Sequence, residues 1–438
     1  MTARETLEAL FRAGVAAADP YTATRRALDP NRLGARPWII AIGKGATPMA
    51  RGAIDALAEC RRSPAGGVVV TAGERGGGAP PLHTVVGDHP VPGDRSLAAA
   101  EALGEVTRLV RPGDDVIVLV SGGASSLVAA PVEGITPAAL AALFDGMLRS
   151  GAPIGTMNAF RRRVLRWGGG RLAQAMTGAR LTVLVASDVI GGDLAAIASG
   201  PCAPDPLRAS DLVEMATRQR LSSYIPPEVR EYLDATSAGR RRETAKGNDP
   251  AFAAVESRIV LDNRVAVDAI AAAATSRGLS PVHVAFTALE GSARPTGEAI
   301  ARAAVAAQVD IEPAADAGAL LVWGGETTVR LGAGHTGVGG RSQELALAAA
   351  EVLHLAGEVA SDVAILAAGT DGRDGPTDAA GAVVDATTWG RITRAGRDPH
   401  TDLERHDSYH ALDAAGALMR PGMTGTNVND VVLALLRP

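Results

Sequence analysis

The feature that most constrains this chain is a set of short apolar runs fenced by glycine or proline. They are Trp38–Ile42, Gly67–Val70, Val116–Val120, Leu181–Ala186, Val282–Phe286, Ala319–Trp323 and Val363–Ala367. Each is four to six residues long and apolar without alternation. That is how strands buried on both faces of a parallel sheet read. Stretches rich in Ala, Leu, Glu and Arg lie between them, at 95–110, 137–150, 265–278, 297–309 and 342–356. Strand and helix in alternation predict an α/β class with mostly parallel sheets. Composition agrees. Glycine is 51 of 438 residues and aromatics only 3%, against a usual ~7% glycine. Such a chain builds its core from small aliphatics and turns on glycine.

At about 150 residues per domain, the length allows two to three domains. The segment 205–256 has no clear strand and is interrupted by Pro226, Pro227 and a polar run at 237–250. It reads as a helical excursion followed by a linker, which sets a domain boundary near 255. Residues 1–20 carry Glu5, Glu8 and Arg12 at helical spacing and read as an amphipathic first helix, with no signal-peptide stretch. No apolar run approaches the ~18–20 residues of a membrane span. The net charge is −5, from 43 basic and 48 acidic residues. That argues against a nucleic-acid partner but leaves room for a local basic site. Two cysteines, Cys60 and Cys202, exclude a disulfide framework and a four-cysteine zinc site and suit a reduced, cytoplasmic protein.

Several strand ends carry glycine and polar residues, and ligands of open α/β sheets bind just beyond the carboxyl ends of strands. Lys44 stands between Gly43 and Gly45, a point charge suited to phosphate; the plain alternative is a solvated turn lysine. Ser121-Gly122-Gly123-Ala124-Ser125-Ser126 exposes backbone N–H groups of the kind that bind anions. It is not a Walker loop, since no Gly-x4-Gly-Lys-Ser/Thr occurs. Asn158–Arg171 is a basic patch with Arg161, Arg162, Arg163, Arg166 and Arg171. Some of these could clamp an anion, and most are expected on a solvated helix face. Asp188, past a strand, is placed to hold a metal or act as a base, or else to cap a turn. The Gly76–Pro81 stretch reads as a plain turn.

Residues 332–337 match G-x-G-x-x-G by letter, but more glycines and Arg341 follow before the helix. The run reads as a phosphate loop, with Gly339, Gly340 and Arg341, rather than a dinucleotide fingerprint. Asp371, Asp374 and Asp378 fall within eight residues and could hold a cation, without the closing glutamate of an EF-hand. His406 and His410 lie in a polar region and are expected on the surface. No His-Glu-x-x-His, Cys-x-x-Cys, Gly-x-Ser-x-Gly or protein-kinase motif set is present.

Nine of these stretches, in order, resemble the type II glycerate kinases, the glycerate 2-kinases of the MOFRL family. They are AIGKGA (41–46), GDHPVP (87–92), VSGGASSL (120–127), GGRLA (169–173), SDVIGGDLAAIASGP (187–201), GGETTVRL (324–331), GGRSQELALAAA (339–350), TDGRDGPTDAAGAVVD (370–385) and TGTNVND (424–430). The resemblance implies an N-terminal Rossmann-like domain of mostly parallel sheet, 1–255, and a smaller C-terminal α/β domain of MOFRL type, 256–438. It implies an active site in the cleft between them, and ATP-dependent phosphorylation of D-glycerate at its 2-hydroxyl with Mg²⁺. Lys44, Asp188 and Arg341 become the catalytic residues. Ser121, Gly122, Gly123, Ser125, Asn158, Arg161, Glu326, Gly339 and Gly340 contact substrate or phosphate, and Asp188 and Asp371 hold the metal. The implied partners are ATP and D-glycerate, with no nucleic acid, no membrane and a homodimer left open. Some relatives are called hydroxypyruvate reductases, so an NAD(P)H-dependent reductase is the alternative, as is a kinase for a related 2-hydroxy acid. The chain departs from the family pattern at Gly93, at Arg162-Arg163 in place of Lys-His, and at Ser342 in place of Asn. These departures leave the exact hydroxy acid open.

Overall fold

A computed structural model describes residues 1–73, 78–89, 91–189, 191–285, 287–309, 318–332 and 336–438. Parts of the Gly76–Pro81 turn, the end of the expected strand at Phe286 and the centre of the 332–337 pattern lie outside the described residues. The contacts form two compact units, Pro20–Val260 and Met1–Asp19 with Leu261–Pro438.

The unit Pro20–Val260 is built on strands β1 (Trp38–Ile42), β2 (Gly66–Thr71), β3 (His83–Val86), β4 (Asp115–Ser121), β5 (Arg180–Ala186) and β6 (Val255–Leu261). They lie in the order β3-β2-β1-β4-β5-β6, the order of the doubly wound Rossmann sheet. β1 runs parallel to both β2 and β4, with Ile42 level with Val70 and with Val120. β4 is buried along its whole length, which is why Val116–Val120 reads as an unbroken apolar run. The excursion after Asp205 forms helices Ala209–Arg218 and Pro227–Ser237, as expected. The polar run behind them does not link two units. Thr244 and Lys246 donate to Asp205, and Lys246 also to the Leu207 carbonyl, which fastens the run inside this unit.

The other unit holds strands β7 (Val282–Val284), β8 (Ala319–Gly325), β9 (Val363–Gly369), β10 (Gly381–Asp385), β11 (Leu418–Met419) and β12 (Asp430–Leu436). Their order is β11-β10-β9-β12-β8-β7. Among the described strands β7 and β8 pair in parallel, and the pairs β8–β12, β12–β9, β9–β10 and β10–β11 are antiparallel. The first sheet is parallel as expected, but the expectation of mostly parallel sheets does not extend to this second one. β9 and β12 are buried on both faces, with Ile365 and Ala367 in one core and Leu366 and Ala368 in the other. An unbroken apolar run reports two-faced burial, whichever way the neighbouring strand runs.

The expected domains, 1–255 and 256–438, also differ from the observed division. Helix Ala3–Ala17 belongs to the second unit. Its Leu7, Leu10 and Phe11 pack with Val267, Ile270 and Ala274 of helix Asn263–Ser276. Arg4 donates to the carbonyls of Gly416 and Leu418 at 2.8 and 2.6 Å. At the crossing, a Cβ on Gly14 would stand 2.7 Å from Ile270, so glycine permits the close approach.

Candidate active site

In the unit Pro20–Val260, Lys44, Ser121, Gly122, Gly123 and Asp188 come together at the carboxyl ends of β1, β4 and β5. That edge between β1 and β4 is where the strand order reverses, the usual ligand position in such sheets. Two loops are stitched there. The Lys44 N–H donates to the Gly122 carbonyl at 2.9 Å, and the Gly45 N–H to Ser121 Oγ at 2.9 Å. Gly43 has a φ of 130° and lies so close to Ser121 that a Cβ would meet its Oγ at 2.1 Å. Gly122 is bounded the same way by the Asp188 carboxylate, 2.1 Å from a would-be Cβ. Burial raises the Asp188 pKa, opposed by a hydrogen bond from its own backbone and by the Lys44 charge. Lys44 itself is exposed.

His89 is a participant that the sequence reading passed over. It borders Gly123, 3.0 Å from a would-be Cβ there. Burial and the Lys44 charge push its pKa down to about 4, so it is a neutral imidazole at pH 7. The signal was its place in the GDHPVP stretch. Ser199 is another, with its Oγ 2.8 Å from Ser125 Oγ. It sits at φ 63° beside Ala198 at φ 53°, a strained pair of the kind held in place at functional sites. The Gly169 and Gly170 N–H groups hold this turn by donating to the Ser199 and Gly200 carbonyls.

The basic segment is not a solvated helix face. Arg163 is fully buried, pairing with Asp205 at 3.2 Å and with Glu243. Arg162 pairs with Asp205 at 3.0 Å and donates to the Ala195 carbonyl. Arg171 donates to the carbonyls of Arg162, Arg163, Leu165 and Gly168. These arginines frame the interior, where buried charge must be paired. Asn158 is half-buried on helix Ile154–Val164. Arg161 on the same helix lies over the Phe144 ring at 4.9 Å, with its pKa lowered by burial.

In the other unit, Glu326, Arg341 and Asp371 come together with Asp430, which the sequence reading did not single out. Asp430 opens β12 opposite Gly325 and Gly369, the last residues of β8 and β9. Glu326 follows β8 directly, and Asp371 follows β9 after Thr370. Arg341 grips Asp430 at 2.6 and 3.0 Å and also pairs with Glu326. Burial works against its charge, but the Asp430 hydrogen bonds together with the nearby charges of Asp430, Glu326 and Asp374 outweigh it and keep the guanidinium protonated. Thr370 ties the two motifs together, accepting from the Val428 N–H at 2.9 Å and donating to the Asn429 carbonyl at 2.7 Å. Gly339 and Gly340 abut Ser408 and Asp374, where a Cβ would come within 2.2 Å. His406 is not a free surface residue, since its Nδ1 lies 2.7 Å from Glu344 and its side chain is only 24% exposed.

Among the described residues no three His, Cys, Asp or Glu side chains form a metal-holding group. Mg²⁺ in kinase sites takes one or two carboxylates plus phosphates and water. Asp188 in one unit and Asp371 in the other are each partly exposed carboxylates of the kind such a site uses.

Asp374 accepts the Gln343 N–H at 2.8 Å at the start of helix Arg341–Ala356. Burial and the Asp430 charge push its pKa up to about 7, whereas an unfolded aspartate titrates near ~4. Between those values the folded state holds the extra proton, so stability falls as pH rises. Wild type is expected to lose a few kcal/mol more than Asp374→Asn between pH 5 and pH 8, measured by urea unfolding. Parallel stability profiles for the two proteins would show that Asp374 is ionised throughout.

Comparison with known proteins places these units. A family model described as Domain of unknown function (DUF4147) matches residues 6–234, and the MOFRL family model matches residues 319–430. Glycerate 2-kinase from Pyrococcus horikoshii is 34% identical, over 96% of this chain and 94% of its own. A protein of Agrobacterium vitis, named only provisionally as a hydroxypyruvate reductase, is 38% identical over 100% of this chain and 95% of its own. The crystal structure of glycerate kinase from Thermotoga maritima matches with a TM-score of 0.85 at 32% identity, over 99% of each chain. The chain belongs to the type II glycerate kinase family.

Proposed function

We propose that the chain transfers the γ-phosphoryl group of ATP to the 2-hydroxyl of D-glycerate, giving 2-phosphoglycerate and ADP. What carries this reading is the meeting of Lys44, the 121–123 loop and Asp188 at the Rossmann strand reversal. Phosphoryl transfer asks for positioning and charge neutralisation rather than a covalent intermediate. The glycerate hydroxyl oxygen bonds to the γ-phosphorus, the bond to the ADP oxygen breaks, and Asp188 takes the hydroxyl proton. A carboxylate with a raised pKa accepts that proton more readily than an ordinary one. Lys44 offsets charge on the transferring group, while backbone N–H groups of the 121–126 loop bind the phosphates. Arg341, held in place by Asp430 and Glu326, offers a fixed cation to an anionic group. Mg²⁺ arriving with ATP would add charge neutralisation, with Asp188 and Asp371 as candidate carboxylate ligands, each within its own unit. No helix among the described residues is long and apolar enough to cross a membrane. We assign the reaction to the cytoplasm, where the free thiols Cys60 and Cys202 stay reduced.

The Agrobacterium relative's name suggests a reductase as the second reading. Against it, β8 ends at Gly325 and helix Arg341–Ala356 starts well beyond it, so the pattern at 332–337 neither follows the strand directly nor opens the helix, as a dinucleotide fingerprint does. The purified protein with ATP, Mg²⁺ and D-glycerate is expected to release ADP in a coupled assay, with phosphate on carbon 2 by NMR. NADH oxidation with hydroxypyruvate and no ADP release would overturn the proposal.

A further inference from the structure

Helix Pro137–Ser150 is apolar on two faces. Ala139, Leu143 and Met147 face the core. Leu140 and Phe144, at the edge of the same core, and the exposed Ala141 and Leu148 follow helical spacing and line a cavity of about 620 Å³ within the unit Pro20–Val260. Leu97 and Ala129 continue its apolar wall. Leu148 and Val91, at 63% and 76% exposure, leave apolar surface open to solvent. A cavity of this volume is of the size that takes a drug-sized molecule. D-glycerate is too small and too polar to fill it.

Two polar features identify a better occupant. Ser126, the end of the glycine-rich loop, lines the same cavity, so a ligand there adjoins the proposed phosphate loop. Arg161 also lines it, with its guanidinium over the Phe144 ring and its buried Nε without a hydrogen-bond partner among the described residues. A flat aromatic ring stacks on such a surface. We infer that this cavity receives the adenosine moiety of the phosphoryl donor, an inference that rests on the kinase reading.

Isothermal titration with ADP, adenosine and inorganic pyrophosphate tests it. Wild type is expected to bind ADP at least tenfold tighter than pyrophosphate, with adenosine competing. Ala141 is exposed on the helix, so Ala141→Trp fills the cavity without entering the core, and Leu148→Trp provides a second such variant. Each is expected to weaken ADP tenfold or more and leave pyrophosphate unchanged. Unchanged ADP affinity in both variants, an equal loss for pyrophosphate, or no preference for ADP in wild type would overturn the inference. If ADP behaves as expected but no phosphate reaches glycerate, the kinase reading alone fails.

Discussion

Lys44→Met and Asp188→Asn are each expected to lower kcat by roughly 10²-fold or more. The KM values should move much less, because both groups act on charge that develops during transfer. The melting temperature should hold. Lys44 is exposed, and Asp188 is a partly exposed carboxylate whose pKa burial raises, so a neutral amide there removes little that the fold relies on. The competing view is that Lys44 is a solvated turn residue and Asp188 a turn cap. It predicts a stability loss of about 1 kcal/mol for the aspartate variant, none for the lysine variant, and normal kcat in both. Steady-state kinetics beside a melting curve separate the two views. Gly122→Ala gives an independent check, because its Cβ would occupy the space now held by the Asp188 carboxylate.

Arg341→Met is expected to reduce kcat/KM by about 10² to 10³ and also to destabilise its unit. The substitution strands Asp430, which is only 4% exposed, and removing one member of a buried ion pair costs about 3–5 kcal/mol. The two losses can be told apart. Adding Asp430→Asn removes the stranded charge, so the double variant should recover most of the stability and none of the activity. Recovery of both would mean that Arg341 serves the fold alone.

The sequence was most legible where one physical cause sets the pattern. Two-faced burial made β1, β4, β5, β8 and β9 readable, and glycine-bounded strand ends located Lys44, Asp188 and Arg341. Strand direction in the second sheet was not legible, because burial looks the same for either sense. The basic segment misled for a related reason: clustered arginines suggest solvent, but their partners Asp205 and Glu243 come from a stretch that looked like linker. Asp430 and His89 stood within recognisable motifs, yet their roles arise from contacts with Arg341 and Gly123, far away along the chain. The phosphate reading of Gly339 and Gly340 now has a structural rival in their close contacts with Ser408 and Asp374.

The placement of helix Ala3–Ala17 fixes an order of events during synthesis. The segment leaves the ribosome before its partner, helix Asn263–Ser276, which is made only after the whole of Pro20–Val260. Domains generally fold as units while the chain emerges, so the Rossmann unit can complete itself while the leading helix waits. During that interval Leu7, Leu10 and Phe11, all buried in the finished protein, have no native cover. The leading helix therefore finds its cover only once helix Asn263–Ser276 has been made, after the Rossmann unit between them.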